Sequence, residues 1–165
     1  MAFNNPIAYL LTWTTYATRL HGAENGSHDA DTNDRGGHFV PPSFRYENLR
    51  RSQAKELPFI LDAKCRGAVF RALMQHADYR EWHVFAVNIR TNHVHLVVSA
   101  GAEPAELLRQ FKAYATRGLR AAELIPDRTR VWTEGGSRKW LFTRDHVDAA
   151  CDYVLHQQGD DLPME

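Results

Sequence analysis

The sequence predicts an α+β fold: a four-stranded antiparallel sheet with two helices on one face, followed by a C-terminal helix. Three observations predict it. Apolar and β-branched runs of strand length alternate with longer stretches of helical periodicity, in the order β–α–β–β–α–β and then a further helix. Two of the strand runs are separated only by Thr91-Asn92, which makes them a hairpin. The 165 residues are enough for one domain with a real core, so residues 1–165 are read as a single unit. That element order is the ferredoxin-like (RRM-like) pattern.

Each element has its own signal. Ile7 to Tyr16 (IAYLLTWTTY) is rich in β-branched and aromatic residues and reads as the first strand. From about residue 19 to residue 60 the chain reads as one long irregular loop, with Gly22, Gly26, Gly36, Gly37, Pro41 and Pro42. Leu61 to Tyr79 shows helical spacing through Cys65, Val69, Ala72 and Leu73, with Asp62 suited to its N-terminal turn. Trp82 to Arg90 and His93 to Ser99 are the two hairpin strands. Glu103 to Leu124 is a second helix, with Pro104 in its first turn and Leu107, Leu108, Phe111, Ala115 and Leu119 on one stripe. After a loop holding Gly135-Gly136, Lys139 to Thr143 (KWLFT) reads as the fourth strand. Asp145 to Gln158 is the last helix, with Val147, Ala150, Cys151 and Val154 on one side and Asp145 near its start.

Composition narrows the function classes. An apolar fraction of 44% and a charged fraction of 24% are ordinary for a globular protein. There is no apolar run of membrane-spanning length and no signal-peptide pattern. Cys65 and Cys151 make no disulfide framework or zinc knuckle, so the expected setting is the reducing cytoplasm. Formal net charge is zero, but its distribution is uneven: residues 109–144 carry nine lysines and arginines against three acids. From Asp145 onward there are six acids and no Lys or Arg. A basic block ahead of an acidic tail suits one anionic partner surface, although two solvated helix faces of opposite sign would read the same way.

The candidate chemistry centres on Asn92-His93-Val94-His95-Leu96-Val97-Val98. Side chains alternate along a strand, so His93 and His95 share one face while Val94 and Leu96 turn to the helices. On this reading the histidine face is the open one. Two imidazoles cannot complete a structural zinc site, but they fit an open site for a catalytic divalent ion finished by oxygen ligands and water. On the second helix, Tyr114 lies at the edge of the apolar stripe beside Gln110, Arg117 and Gly118. A polarised phosphate with cations nearby would let a tyrosine attack it; a boundary aromatic with its hydroxyl in water is the plainer alternative.

His93-Val94-His95 has the His–hydrophobic–His form of the HUH endonucleases. With Thr91 to Val98 around it and Tyr114 on the next helix, the chain resembles the single-tyrosine HUH transposases, among them the insertion-sequence and REP-associated tyrosine transposases. The segments YLLTWTTYATRL and Val131 to Phe142 extend the resemblance over most of the chain. The resemblance implies metal-dependent nicking and strand transfer of single-stranded DNA near a hairpin, through a 5′-phosphotyrosine intermediate. It implies Tyr114 as nucleophile and His93 and His95 as ligands of Mg²⁺ or Mn²⁺, in a protein found with the nucleoid and able to act as a homodimer. In relatives an amide residue one turn after the tyrosine often supplies the third ligand; here that position is Gly118, and Gln110 on the same flank is the substitute.

Arg109, Lys112, Arg117, Arg120, Arg138 and Lys139 are candidate phosphate contacts, and Trp132, Trp13 and Trp140 could stack on unpaired bases. For at least two of these tryptophans a core position is the simpler reading. Tyr153 is the second candidate tyrosine, on a helix face that reads as apolar. His21, His28 and His38 lack ligand spacing. The competing function is a non-cleaving binder of structured single-stranded DNA or RNA, such as an inactivated transposase. The K/R-G-F/Y-G/A-F run of RNA-recognition domains is absent. A two-histidine phosphoesterase would need His-x-Ser/Thr motifs, and there are none.

Overall fold

The computed structural model describes residues 5–18, 27–28, 39–40 and 54–165. The elements run β1 (Ala8–Thr14), β2 (Ser27–His28), β3 (Phe39–Val40), α1 (Ala63–Tyr79), β4 (His83–Ile89), β5 (His93–Ser99), α2 (Pro104–Ala121), β6 (Ser137–Leu141) and α3 (Arg144–His156). β4, β5, β1 and β6 form one antiparallel sheet in that order, so the predicted ferredoxin-like sheet is present with β5 and β1 at its centre. β2 and β3 pair with each other inside the stretch read as a long loop; most of that loop, with His21 and His38, lies outside the described residues.

Local chemistry sets the boundaries. α1 starts at Ala63 because the Asp62 carboxylate accepts from the Cys65 amide, satisfying one otherwise unpaired N–H of the first turn. Pro104 stands in the first turn of α2, where its missing N–H costs nothing. α3 is capped by Thr143, whose Oγ1 accepts from the His146 amide at 3.2 Å, so Asp145 belongs to the first turn rather than the cap. β6 begins two residues before the predicted Lys139, because Ser137 still pairs with Thr12. Gly136 permits that entry: its φ is +152°, and a Cβ there would lie 2.8 Å from the Thr12 carbonyl oxygen.

The two faces of the sheet are covered differently. Leu11, Trp13, Val94, Leu96 and Val98 pack with Leu73 of α1 and Leu107, Phe111, Ala115 and Leu119 of α2 in the main core. Each such fully buried side chain contributes roughly 1.5–3 kcal/mol. The other face is not open as expected. α3 lies across it, setting Val147, Ala150 and Val154 on Ala8, Leu10, Ala86, Val97 and Leu141. The reason is written along the strands: this second face is apolar at one end and turns polar at Thr12, His93 and His95, so only the apolar end calls for a cover. α3 therefore ends beside the histidines.

Candidate functional site

His93 and His95 share the α3 side of β5, with ring centroids 4.8 Å apart. The shared face predicted from strand alternation is present. His95 is buried, at 5% exposure, and both of its ring nitrogens are engaged. Nδ1 lies 2.7 Å from Thr12 Oγ1, and Nε2 lies 3.0 Å from Gln158 Oε1. His93 Nδ1 stands 2.7 Å from Asn92 Oδ1, an acceptor, so this nitrogen carries a proton.

The end of α3 completes the surroundings. The Tyr153 ring meets His95 edge-on at 5.5 Å, and its side is 41% exposed, so the phenol borders both the imidazole and solvent. Asn88 of β4, directly opposite His95 in the ladder, donates from Nδ2 to the Val154 carbonyl at 2.8 Å and ties the last turn of α3 to the sheet. Two amides follow Tyr153. Gln157 donates to Asp152 at 2.7 Å, while Gln158 donates from Nε2 to the Tyr153 carbonyl at 3.1 Å and so presents Oε1 to His95.

Tyr114 is not in this group. α2 lies with α1 on the opposite face of the sheet, and Tyr114 stacks there on His76 of α1, with centroids 3.7 Å apart and planes at 14°. The Arg117 guanidinium sits 4.6 Å over the tyrosine ring. Gln110, the suggested third ligand, is held in the same cluster: its Oε1 is 2.8 Å from His76 Nε2 and its Nε2 donates to Glu106 at 2.6 Å. Burial, with Arg80 and Arg117 nearby, lowers the pKa of His76 below the usual imidazole value, and its Nε2–H donates to Gln110 Oε1. Gly118 is a packing residue: a Cβ there would stand 2.7 Å from the Ala72 Cβ and 3.2 Å from the Ala68 carbonyl oxygen. It lets α2 cross α1 closely, which accounts for the missing amide without reference to a ligand.

The basic candidates are spread over both faces. Lys139 is exposed and pairs with Leu10, which places it on the histidine side. Arg138 alternates to the helix side. Arg109 is held by Glu106, and Arg120 is exposed in the last turn of α2. Lys112 is turned inward, its Nζ donating to the Thr133 and Gly135 carbonyls at 2.6 and 2.9 Å. Trp132 is also inward: its indole N–H donates to the Lys112 carbonyl and Thr116 Oγ1, and its ring meets Trp13 edge-on at 6.2 Å.

Among the described residues no group of three or more His, Cys, Asp or Glu could hold a metal ion, so any ion here must take an amide oxygen or water. The donors at hand suit that. His93, His95 and Gln158 are the nitrogen and oxygen donors gathered on this face that could hold a hard divalent ion with open positions.

Sequence reasoning ranked Tyr153 second and missed Thr12 and Gln158. Gln157 lies one turn after Tyr153, an amide at the spacing where Gly118 follows Tyr114.

No protein-family model matches the chain, and no curated protein matches it. Among solved structures it is similar to a REP-associated tyrosine transposase bound to a REP hairpin, at 10% identity and a TM-score of 0.49, covering 91% of this chain and 65% of that one. It is also similar to a candidate transposase from Deinococcus radiodurans R1, at 13% identity and a TM-score of 0.45, covering 98% of this chain and 97% of that one. No described helix is long and apolar enough to cross a membrane.

Proposed function

We propose that this chain is a tyrosine-nucleophile HUH endonuclease and strand transferase acting on single-stranded, hairpin-associated DNA, with Tyr153 in the role first read for Tyr114. The observation that carries it is the meeting of Tyr153 and Gln158 with His95 on the face that also holds His93. With Tyr153 as nucleophile, the position one turn on is an amide, Gln157, whose side chain donates to Asp152, and the next residue, Gln158, is the amide that faces His95.

His93, His95 and Gln158 would hold Mg²⁺ or Mn²⁺. When bound, the ion supplies Lewis-acid polarisation of the scissile phosphate and holds it in line. Tyr153 Oη attacks phosphorus; the P–Oη bond forms as the P–O3′ bond breaks. The phenolic proton is lost, the departing 3′ oxygen gains one, and the 5′ phosphate stays on Tyr153. Attack by a 3′-OH reverses the step without ATP. Asp145, Asp148 and Asp152 are exposed on α3 and repel phosphates, so the strand enters over β1 and β6, where Lys139 offers a cation on the histidine side.

The test uses the full chain with hairpin-bearing single-stranded DNA and Mn²⁺ or Mg²⁺, resolved on a denaturing gel. Wild type and Tyr114→Phe form a covalent adduct; Tyr153→Phe and His95→Ala do not. An adduct that survives Tyr153→Phe and vanishes in Tyr114→Phe overturns the assignment. Tight hairpin binding with no adduct in wild type replaces the nuclease with a binding protein.

A further inference from the structure

Thr12 stands directly across the β1–β5 ladder from His95, with Oγ1 2.7 Å from Nδ1. On the other side of the ring, Gln158 spends its N–H on the Tyr153 carbonyl and offers only its oxygen to Nε2. An amide oxygen only accepts. In the neutral ring Nε2 therefore carries the proton, and Nδ1 accepts from the Thr12 hydroxyl. A cation bound through Nε2 needs the other tautomer, with the proton on Nδ1. A hydroxyl can serve both, donating in one state and accepting in the other after a rotation about its C–O bond.

Thr12 is well held for this. It lies on a central strand, its β-branched side chain is stiff at χ1, and its carbonyl is covered by the glycine seat of Gly136. We infer that Thr12 is a positioning residue which lets His95 change tautomer, so that the imidazole exchanges its hydrogen bond to Gln158 for a divalent cation. No proton is gained or lost overall: the proton leaves Nε2 and one arrives at Nδ1. The inference rests on the metal reading above.

The test uses ¹⁵N-labelled full-length protein and long-range imidazole correlation spectra, with Mg²⁺ as the probe and calorimetry for affinity. In wild type the pyridine-like and pyrrole-like nitrogen signals of His95 exchange places when Mg²⁺ is added. Thr12→Val, close in shape, loses the partner for Nδ1 and binds Mg²⁺ about 10- to 100-fold more weakly, the usual cost of removing such a support. Thr12→Ser keeps the hydroxyl and restores affinity and the signal exchange. If wild type binds Mg²⁺ and Thr12→Val binds equally well, the role of Thr12 is overturned and the metal site stands. If Mg²⁺ binds without the exchange of signals, the tautomer change is overturned. If wild type binds neither Mg²⁺ nor Mn²⁺, the metal reading fails and this inference with it.

Discussion

The phenol of Tyr114 lies flat on the imidazole of His76, 3.7 Å between ring centroids, and this stack joins α2 to α1 on the side of the sheet away from His93 and His95. There it packs α2 against α1. Tyr114→Ala removes a half-buried ring and its stack on His76, at an expected cost of about 2 kcal/mol in denaturant unfolding. Tyr114→Phe keeps the stack and should cost under about 0.5 kcal/mol. A large loss in Tyr114→Phe would show that the hydroxyl matters to the fold.

Gly118 yields a second prediction. In an ordinary helix Gly→Ala gains about 1 kcal/mol from propensity. Here the added methyl would meet the Ala72 Cβ at 2.7 Å and the Ala68 carbonyl oxygen at 3.2 Å. α1 and α2 must separate, so Gly118→Ala should destabilise by about 1–3 kcal/mol, as overpacking does. Stabilisation instead would mean that the helices give way easily at this crossing.

The architecture was legible because strand and helix periods differ and each strand's first core face is unbroken: Leu11 and Trp13, then Val94, Leu96 and Val98. The site was half legible. Alternation alone put His93 and His95 together. That Tyr153 borders His95 was not legible, because Tyr153 follows Ala150 and Val147 on a stripe that looks like core, and nothing in the stripe marks where the sheet beneath it turns from apolar to polar. That point is set by residues far apart in sequence, Thr12, Asn88 and His95, which meet only through strand pairing. The cover on the second face did have a signal: Ala8 to Leu11 is apolar at every position, as expected of a strand buried on both sides.

Lys112 should reveal itself through pH. Burial pushes its ammonium down to about 8, from an ordinary value of 10.5. Between those values the unfolded chain binds more protons than the folded one, so this group's contribution to stability rises with pH from about 8 to about 10.5. Below that window the buried charge carries its full cost, softened by the Thr133 and Gly135 carbonyls. In Lys112→Met this rise is absent, while other groups cancel in the comparison. Wild type should gain about 3 kcal/mol on the variant across the window. Parallel stability curves would show that the amine stays solvated.

Asn88 tests whether the seat of α3 controls the proposed chemistry. It sits opposite His95, and its Nδ2 holds the Val154 carbonyl at 2.8 Å, one residue beyond Tyr153. Val147, Ala150 and Val154 keep the helix on the sheet without it, so Asn88→Ala should cost only about 1 kcal/mol of stability, the worth of one hydrogen bond. The last turn, however, loses its polar tie to the strand that pairs with His95. Small displacements of a nucleophile are costly in rate, because attack requires close, in-line placement. Adduct formation should therefore slow by about tenfold or more while hairpin affinity, measured by gel shift, stays near wild type. Asn88→Asp cannot donate and should behave like Ala, whereas Asn88→Gln can reach the carbonyl only by displacing the turn. If Asn88→Ala cuts at the wild-type rate, the apolar contacts alone position Tyr153, and the tie to Val154 serves stability rather than the reaction.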